Sequence, residues 1–463
     1  MDRISLLMMG LAYKMNTIKS NISFKPRDIL FVSGLLFCLS LIPIAPSFSK
    51  IIIIDFIIII TYLIFTPKYI LHPNNIVFAF SLLYVVIPSL IDLTFVIFDL
   101  SYHLPQERIV SWDEFYLQTY FDMIFLYLVL FFTFRFYIRE DTPQVKLDYY
   151  IHIKFVIFLY FMVFMLLLYW MQATGGLENW IFNYKTTFLI GRSGHGLLNF
   201  IMLFLVNIVV FLLGLHFFHL KSTNKLIVLI LSFILIFFAS YVQGLKSRFI
   251  ILLIIFYFPY LLHMKLNIKQ MTLLGILFFT LLFIGTYVRT NGYYNSPTVF
   301  LEYMMTYFNV YSLHDMIIDK DMMDIGKTFF QFLNKPLQMI GLIDNNVNYD
   351  LSIMLTKEYF PNDWETMKAT QQWPVVTELY YNFFGFIFGW IPLLIYAYII
   401  SKLYILTKNG HIGISLIYIL EFIRLFSVMR GTLIPWQIFI YLFFYILIYF
   451  VVTKTVILKK ENA

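Results

Sequence analysis

Cysteine is almost absent from this chain: Cys38 is the single one, so no intramolecular disulfide forms and no metal site can be built on paired thiolates. Charge is scarce as well, with Asp, Glu, Lys and Arg at 13% of 463 residues against 61% hydrophobic ones, and the mean hydropathy is +0.81. Soluble cores are not assembled from such a composition. The fingerprints of soluble enzymes are missing too. No P-loop, His-Glu-x-x-His helix, Gly-x-Ser-x-Gly elbow or Gly-x-Gly-x-x-Gly turn occurs, which argues against ATP-driven transport by this chain alone. No internal repeat pairs two halves around broken helices, as a secondary transporter would. The basic segment 1–28 lacks a small-residue cleavage site in a signal-peptide context and is expected to stay as a cytoplasmic N-terminal segment.

What remains is a series of apolar blocks of about 17 to 25 residues, the length needed to cross a hydrocarbon slab of about 30 Å as helix. Backbone groups left unpaired in lipid cost several kcal/mol each, so helices are the expected form. Strand spans would alternate apolar and polar residues over about ten positions, unlike Ile51 to Phe65 or Leu226 to Ala239. The expectation is an all-α polytopic membrane protein of about twelve spans. They fall at 29–47, 51–66, 74–97, 115–138, 153–172, 196–218, 225–243, 249–263, 271–288, 383–405, 413–429 and 433–453. With segment 1–28 inside, alternation puts Arg139, Lys146, Lys154, Lys221, Lys225, Lys265, Lys269, Lys402, Lys408, Lys454, Lys459 and Lys460 on the same side. That agrees with the positive-inside preference. Both termini, including the tail 454–463, are then cytoplasmic, with helices one to nine over 29–289 and ten to twelve over 383–453. The net charge of +7 is dispersed among short loops, which fits topology and not a nucleic-acid face.

This topology sends the longest polar stretch, 290–382, to the outer face as a cap. Thr298 to Ile318 reads as an amphipathic helix, and Lys327 to Leu342 as another bent near Pro336. Tyr349 to Gln372 follows, ahead of Trp373 and Pro374.

Cations on the outer face run against the insertion preference and need another reason. Gly244, Leu245, Lys246, Ser247 and Arg248 form an outer turn that places two cations at a helix N-terminus, where free backbone N–H groups and the positive dipole end favour an anion. Arg binds phosphate bidentately. The alternative is an interfacial turn with snorkelling side chains. Arg192, Arg289 and Arg430 add three more outer cations, and together they suggest a pyrophosphate cradle. Glu421 and Arg424, three apart inside a span, share a helix face and read as an ion pair. Asp55, Asp92 and Asp122 are scattered over three helices without a common pattern. For acid-base work the cap and its flank offer His314, Asp315 and Glu378. Trp373, Glu378, Tyr380, Tyr381 and Asn382 make a mix suited to sugars, and suited equally to an interfacial aromatic belt.

These residues resemble the Wzy-type polymerases of O-antigen and related bacterial surface polysaccharides, including enterobacterial common antigen-type polymerases. The resemblance lies in Gly244 to Arg248 opening an apolar helix, in Tyr287, Val288, Arg289 and Thr290 leading into the long outer loop, in Pro374 to Gly385 with Glu378, Tyr381 and Asn382, and in Arg430 with Gly431. It covers the second half of the chain, and the first half by hydropathy alone. It implies a processive GT-C-like glycosyltransferase in the bacterial inner membrane, acting in lipopolysaccharide biosynthesis with its site facing the periplasm. The growing glycan would pass from undecaprenyl pyrophosphate to the non-reducing end of a new lipid-linked repeat unit. Arg248, Arg289, Arg192 and Lys246 would bind pyrophosphate, Arg430 a second lipid phosphate, and Glu378 or His314 would act as base or orient the acceptor. Tyr381, Asn382 and Trp373 would line the sugar site. No metal or cofactor is called for, and a chain-length regulator protein is the implied partner besides the lipid-linked oligosaccharide and the bilayer. An O-antigen ligase and a flippase or transporter of lipid-linked oligosaccharide are the rival readings.

Overall fold

The structure is a computed structural model. It describes residues 26–102, 115–138, 149–183, 195–220, 222–243, 246–267, 296–339, 350–367 and 370–458, with a few isolated positions between them. The chain divides into a unit of residues 1–57 and a unit of residues 58–463. The first contains helix α1 (Pro26–Leu41) and the start of α2 (Ser47–Ile64). The second holds the rest of α2 and all later elements. After α2 come α3 (Pro73–Ile97), α4 (Leu117–Tyr137), strand β1 (Tyr149–Ile151), α5 (Ile153–Ala173) and the short α6 (Gly176–Phe182). Then follow α7 (Gly196–His219), α8 (Ser222–Gln243) and α9 (Lys246–His263).

Among the described residues nine helices are long and apolar enough to cross a membrane, and two shorter apolar helices lie at Asp28–Leu41 and Arg248–His263. The protein is thus an α-helical, multi-pass membrane protein. The expected span over 271–288 falls largely outside the described residues. On α5, Phe158, Phe161, Met165 and Tyr169 form an exposed apolar stripe at helical spacing, a surface that water would not tolerate and lipid does. Inside the bundle α7 and α9 pack without room for a methyl group: a Cβ on Gly214 would lie 2.2 Å from the Phe256 carbonyl oxygen.

The last spans are α16 (Trp390–Lys408), α17 (Ile412–Met429) and α18 (Ile438–Thr455). Helix α16 begins seven residues later than the hydropathy boundary at 383. Phe384, Gly385 and Phe386 all take positive φ, at 51°, 61° and 66°, a run that breaks any right-handed helix. Residues 383–389 are therefore turns ahead of the helix. A second departure is a small antiparallel pair, β1 with β2 (Val456–Leu458), in a chain expected to be all-α.

This pair fixes which connections share an end of the bundle. Helices α17 and α18 are antiparallel, since a Cβ on Gly413 would meet Thr453 and Tyr449. The end of α16, the start of α17 and strand β2 therefore lie together, and β2 brings β1 to them. The Lys408 ammonium sits 5.1 Å over the Tyr69 ring, and Tyr69 bridges to Lys265. At the opposite end, the N-terminus of α4 and the α17–α18 turn meet the cap.

The described part of the cap is helical: α10 (Pro297–Phe308), α11 (Tyr311–Asp319), α12 (Gln331–Met339), α13 (Leu351–Tyr359), α14 (Pro361–Met367) and α15 (Val375–Asn382). The single helix expected over 298–318 is two. Asn309 leaves helical geometry at φ −82°, ψ 71°, and its side chain accepts the Ser312 N–H, the kind of local bond by which Asn breaks helices. Side-chain caps start α10 and α13: Ser296 Oγ accepts the Val299 N–H ahead of Pro297, and Asp350 accepts the Ile353 N–H.

Candidate functional site

The cap is bonded directly to the spanning helices. Asp315 Oδ1 accepts the Tyr116 N–H at 2.8 Å and the Thr119 hydroxyl at 2.6 Å, and Asp319 accepts the Tyr116 hydroxyl at 2.6 Å. One turn of α11 thereby satisfies donors that the N-terminus of α4 would otherwise leave open. Beside this contact the buried His314 ring links three elements. Its Nε2 lies 3.0 Å from Asp122 Oδ2 on α4, and its Nδ1 lies 3.1 Å from Thr377 Oγ1 on α15. Gln118 Nε2 donates to the other Asp122 oxygen at 2.5 Å. His314 and Thr377 are fully buried and Asp122 nearly so.

Next to Thr377, Glu378 is 1% exposed. Its Oε2 accepts the Leu433 N–H at 2.7 Å, while its Oε1 has no hydrogen-bond partner among the described residues. Burial pushes this carboxyl up to about 8, opposed by the Leu433 N–H, which favours the ionised form, and assisted by the Asp350 charge. Leu433 belongs to the α17–α18 turn that also carries Arg430. Arg424 holds the other side of the same residue, with Nη2 3.5 Å from the Leu433 carbonyl oxygen. The pair Glu421–Arg424 forms as its spacing suggests, at 2.8 Å, and Glu421 also accepts the Tyr445 hydroxyl.

Arg430 packs its guanidinium 4.9 Å from the centre of the Tyr84 ring, and its Nε has no hydrogen-bond partner among the described residues. Tyr84 sits in a five-residue π-helical turn of α3, Leu82–Val86, and meets Phe308 of the cap edge-on. The π-turn shifts the register of α3 at the level where cap and cation reach it.

Arg248 closes the row on its far side. Two residues into α9, its guanidinium turns inward toward α7 and α8. It donates from Nε to Gln243 Oε1 at 2.6 Å, and from Nη2 to Asn207 Oδ1 at 2.7 Å and the Leu203 carbonyl at 3.1 Å. The side chain is 5% exposed, and all three of these acceptors are neutral. The Gln243 amide nitrogen is buried without a partner among the described residues. Phe204, next to Leu203, touches Tyr441 and Tyr445. Tyr441 in turn lies 5.4 Å under the Arg424 guanidinium. A row of contacts and chain neighbours thus runs from Arg248 through Leu203, Phe204, Tyr441, Arg424, Leu433, Glu378 and Thr377 to His314 and Asp122.

Other expected residues are placed differently. Asn382 accepts the Thr328 and Phe329 N–H groups at 3.0 Å each, and its amide donates to Thr328 Oγ1 and the Glu378 carbonyl. Its amide hydrogens are both used inside the protein, so it clamps the cap and offers a sugar no donor. Trp373 is buried among Tyr359 and Phe360, and Tyr381 is buried with its hydroxyl 3.8 Å from Met354 Sδ. All three side chains therefore pack inside the cap. Lys246 is the first residue of α9, and the position of its side chain lies outside the described residues, as do Arg192 and Arg289. Sequence reasoning left Asp122 as a scattered acid and passed over Thr377, Asn207 and Gln243. The signal for Asp122 was its charge within a span; the other three carried none. Among the described residues no group of three or more His, Cys, Asp or Glu is placed to hold a metal ion.

The fold and site define a polytopic α-helical membrane protein whose helical cap joins a row of buried and half-buried ionisable groups at one end of the bundle. No known protein family, characterised protein or solved structure matches the chain.

Proposed function

We propose that this protein is a membrane-embedded glycosyltransferase that polymerises the repeat units of a bacterial surface polysaccharide. It moves the growing glycan from undecaprenyl pyrophosphate onto the non-reducing end of a new lipid-linked repeat unit. The observation that carries this reading is the Arg248 guanidinium, 5% exposed and bonded to neutral oxygens. A buried cation whose acceptors among the described residues are all neutral calls for an anion. A lipid-linked pyrophosphate brings one to the membrane surface, at a helix N-terminus suited to it.

In this reading Arg248 binds the donor pyrophosphate together with Arg289, Arg192 and Lys246, and Arg430 contacts the acceptor lipid's phosphate. The acceptor hydroxyl oxygen attacks the anomeric carbon of the donor glycan, the bond from that carbon to the pyrophosphate oxygen breaks, and undecaprenyl pyrophosphate leaves with the electron pair. Stabilising the departing charge is the main electrostatic task. Glu378 takes the hydroxyl proton; a carboxyl raised toward 8 is a stronger base than an ordinary one and lies near working pH. Lys68, Lys265, Lys408 and Lys454 belong to the end opposite the cap, which supports a cytoplasmic side for that end and a periplasmic one for the cap in an inner-membrane protein. A chain-length regulator protein is the expected partner.

The test is a gel of surface lipopolysaccharide from cells lacking the gene and from cells in which it is restored. Lipid A core capped by a single repeat in the deletion, with the full ladder on restoration, is the expected result. Complete loss of repeats in the deletion would point to a ligase or a flippase.

A further inference from the structure

The row of contacts at the cap contains a part that the proposed chemistry does not use: Asp122, His314 and Thr377, one residue each from a spanning helix, the cap and the short helix that bears Glu378. We infer that this buried Asp122–His314–Thr377 chain is a positioning device that sets the roll of α15 and thereby aims the Glu378 carboxyl. The inference rests on the reading of Glu378 as the base.

The argument is geometric. Consecutive residues point about 100° apart around a helix axis. Thr377 and Glu378 are therefore held by two partners in different directions, His314 at 3.1 Å and the Leu433 N–H at 2.7 Å. Among the described residues these are the side-chain hydrogen bonds at this end of the eight-residue helix, and they add direction to the packing of its buried apolar residues; the Asn382 clamp acts on its last turn. The reference point for the roll is in the membrane: His314 Nε2 lies 3.0 Å from Asp122 Oδ2, and Gln118 steadies the second Asp122 oxygen. Both nitrogens of the His314 ring are engaged, by Asp122 and by Thr377, which leaves none for an acceptor hydroxyl. The ring acts through Thr377 and not on substrate.

The experiment uses the full-length protein in detergent micelles, with hydrogen–deuterium exchange of the Leu433 amide as the first readout. The second is turnover of lipid-linked repeat units extracted from cells lacking the gene. Thr377→Val keeps the shape of the side chain and removes the hydroxyl; Thr377→Ser keeps the hydroxyl; Glu378→Ala is the reference for a lost Leu433 bond. Thr377→Val is expected to speed Leu433 exchange about tenfold, toward the Glu378→Ala rate. It should also lower kcat about tenfold to a hundredfold, with KM nearly unchanged, as misplacement of a reacting group does. Thr377→Ser should behave as wild type in both. Unchanged Leu433 exchange in folded Thr377→Val, or equal damage in Thr377→Ser and Thr377→Val, overturns the inference. If Thr377→Val does not fold, Asp122→Asn carries the same comparison, and wild-type exchange in that variant overturns it equally. If the wild-type protein makes no polymer but Leu433 exchange responds as described, the positioning stands and the polymerase reading falls.

Discussion

Glu378 and Leu433, 55 residues apart in the chain, are joined by a 2.7 Å hydrogen bond from the Leu433 N–H to Glu378 Oε2. This bond ties the helix that closes the cap to the turn between the last two spans. That turn also presents Arg430 to the ring of Tyr84. An acid and a cation contributed by distant segments therefore share one support, and the remaining Glu378 oxygen is buried without a partner among the described residues.

The raised Glu378 pKa has consequences of opposite sign for stability and rate. A carboxyl that titrates near 4.5 when unfolded and at about 8 when folded contributes stability fully below pH 4.5 and loses it as pH rises through 8. The Tm of the purified protein is expected to fall between pH 5 and pH 8, and Glu378→Gln to flatten that slope. Turnover by the base should rise over the same range with a midpoint near pH 8, and Glu378→Gln should be slow at every pH. Thermal unfolding and initial rates across pH check both.

Arg248 should report an anion directly. Inorganic pyrophosphate that binds the folded protein at about 100 times its Kd stabilises by about 2.7 kcal/mol. Wild-type protein is expected to show a rise in Tm on addition of pyrophosphate, and Arg248→Gln none. An equal rise in both would remove Arg248 from the anion site.

The spans were legible because hydropathy is a property of composition over about twenty residues, and Glu421–Arg424 because a spacing of three is enough to pair them. The start of α16 was hidden by left-handed backbone at Phe384 and Phe386, residues whose apolarity says nothing of φ. The site was legible only as a set of unusual charges. Asp122 and His314 meet across 192 positions, a pairing that depends on how the cap docks. Trp373, Tyr381 and Asn382 show a related limit: aromatic and amide groups look alike in sequence whether they face a ligand or fill a cap.

Asn382 gives a test of the clamp. Asn382→Ala leaves the Thr328 and Phe329 N–H groups buried without their acceptor, at about 1–3 kcal/mol each. Limited proteolysis is expected to cut near Thr328 faster in the variant, with the spanning helices as resistant as in wild type.

Gly214 tests the packing of α7 on α9. A methyl group 2.2 Å from the Phe256 carbonyl oxygen forces the helices apart, and Gly214→Ala should destabilise by about 1–3 kcal/mol. A lower Tm and a reduced yield of folded protein in detergent are the expected signs.

The most direct test of the central claim is made with the purified protein in liposomes. It is supplied with lipid-linked repeat units from cells lacking the gene, and the lengths of the lipid-linked products are measured together with released undecaprenyl pyrophosphate. The account predicts a ladder of lipid-linked products with one pyrophosphate lipid released per added repeat, and none of either from Arg248→Gln. Unextended repeats and no released lipid, from protein shown to be folded, would contradict it.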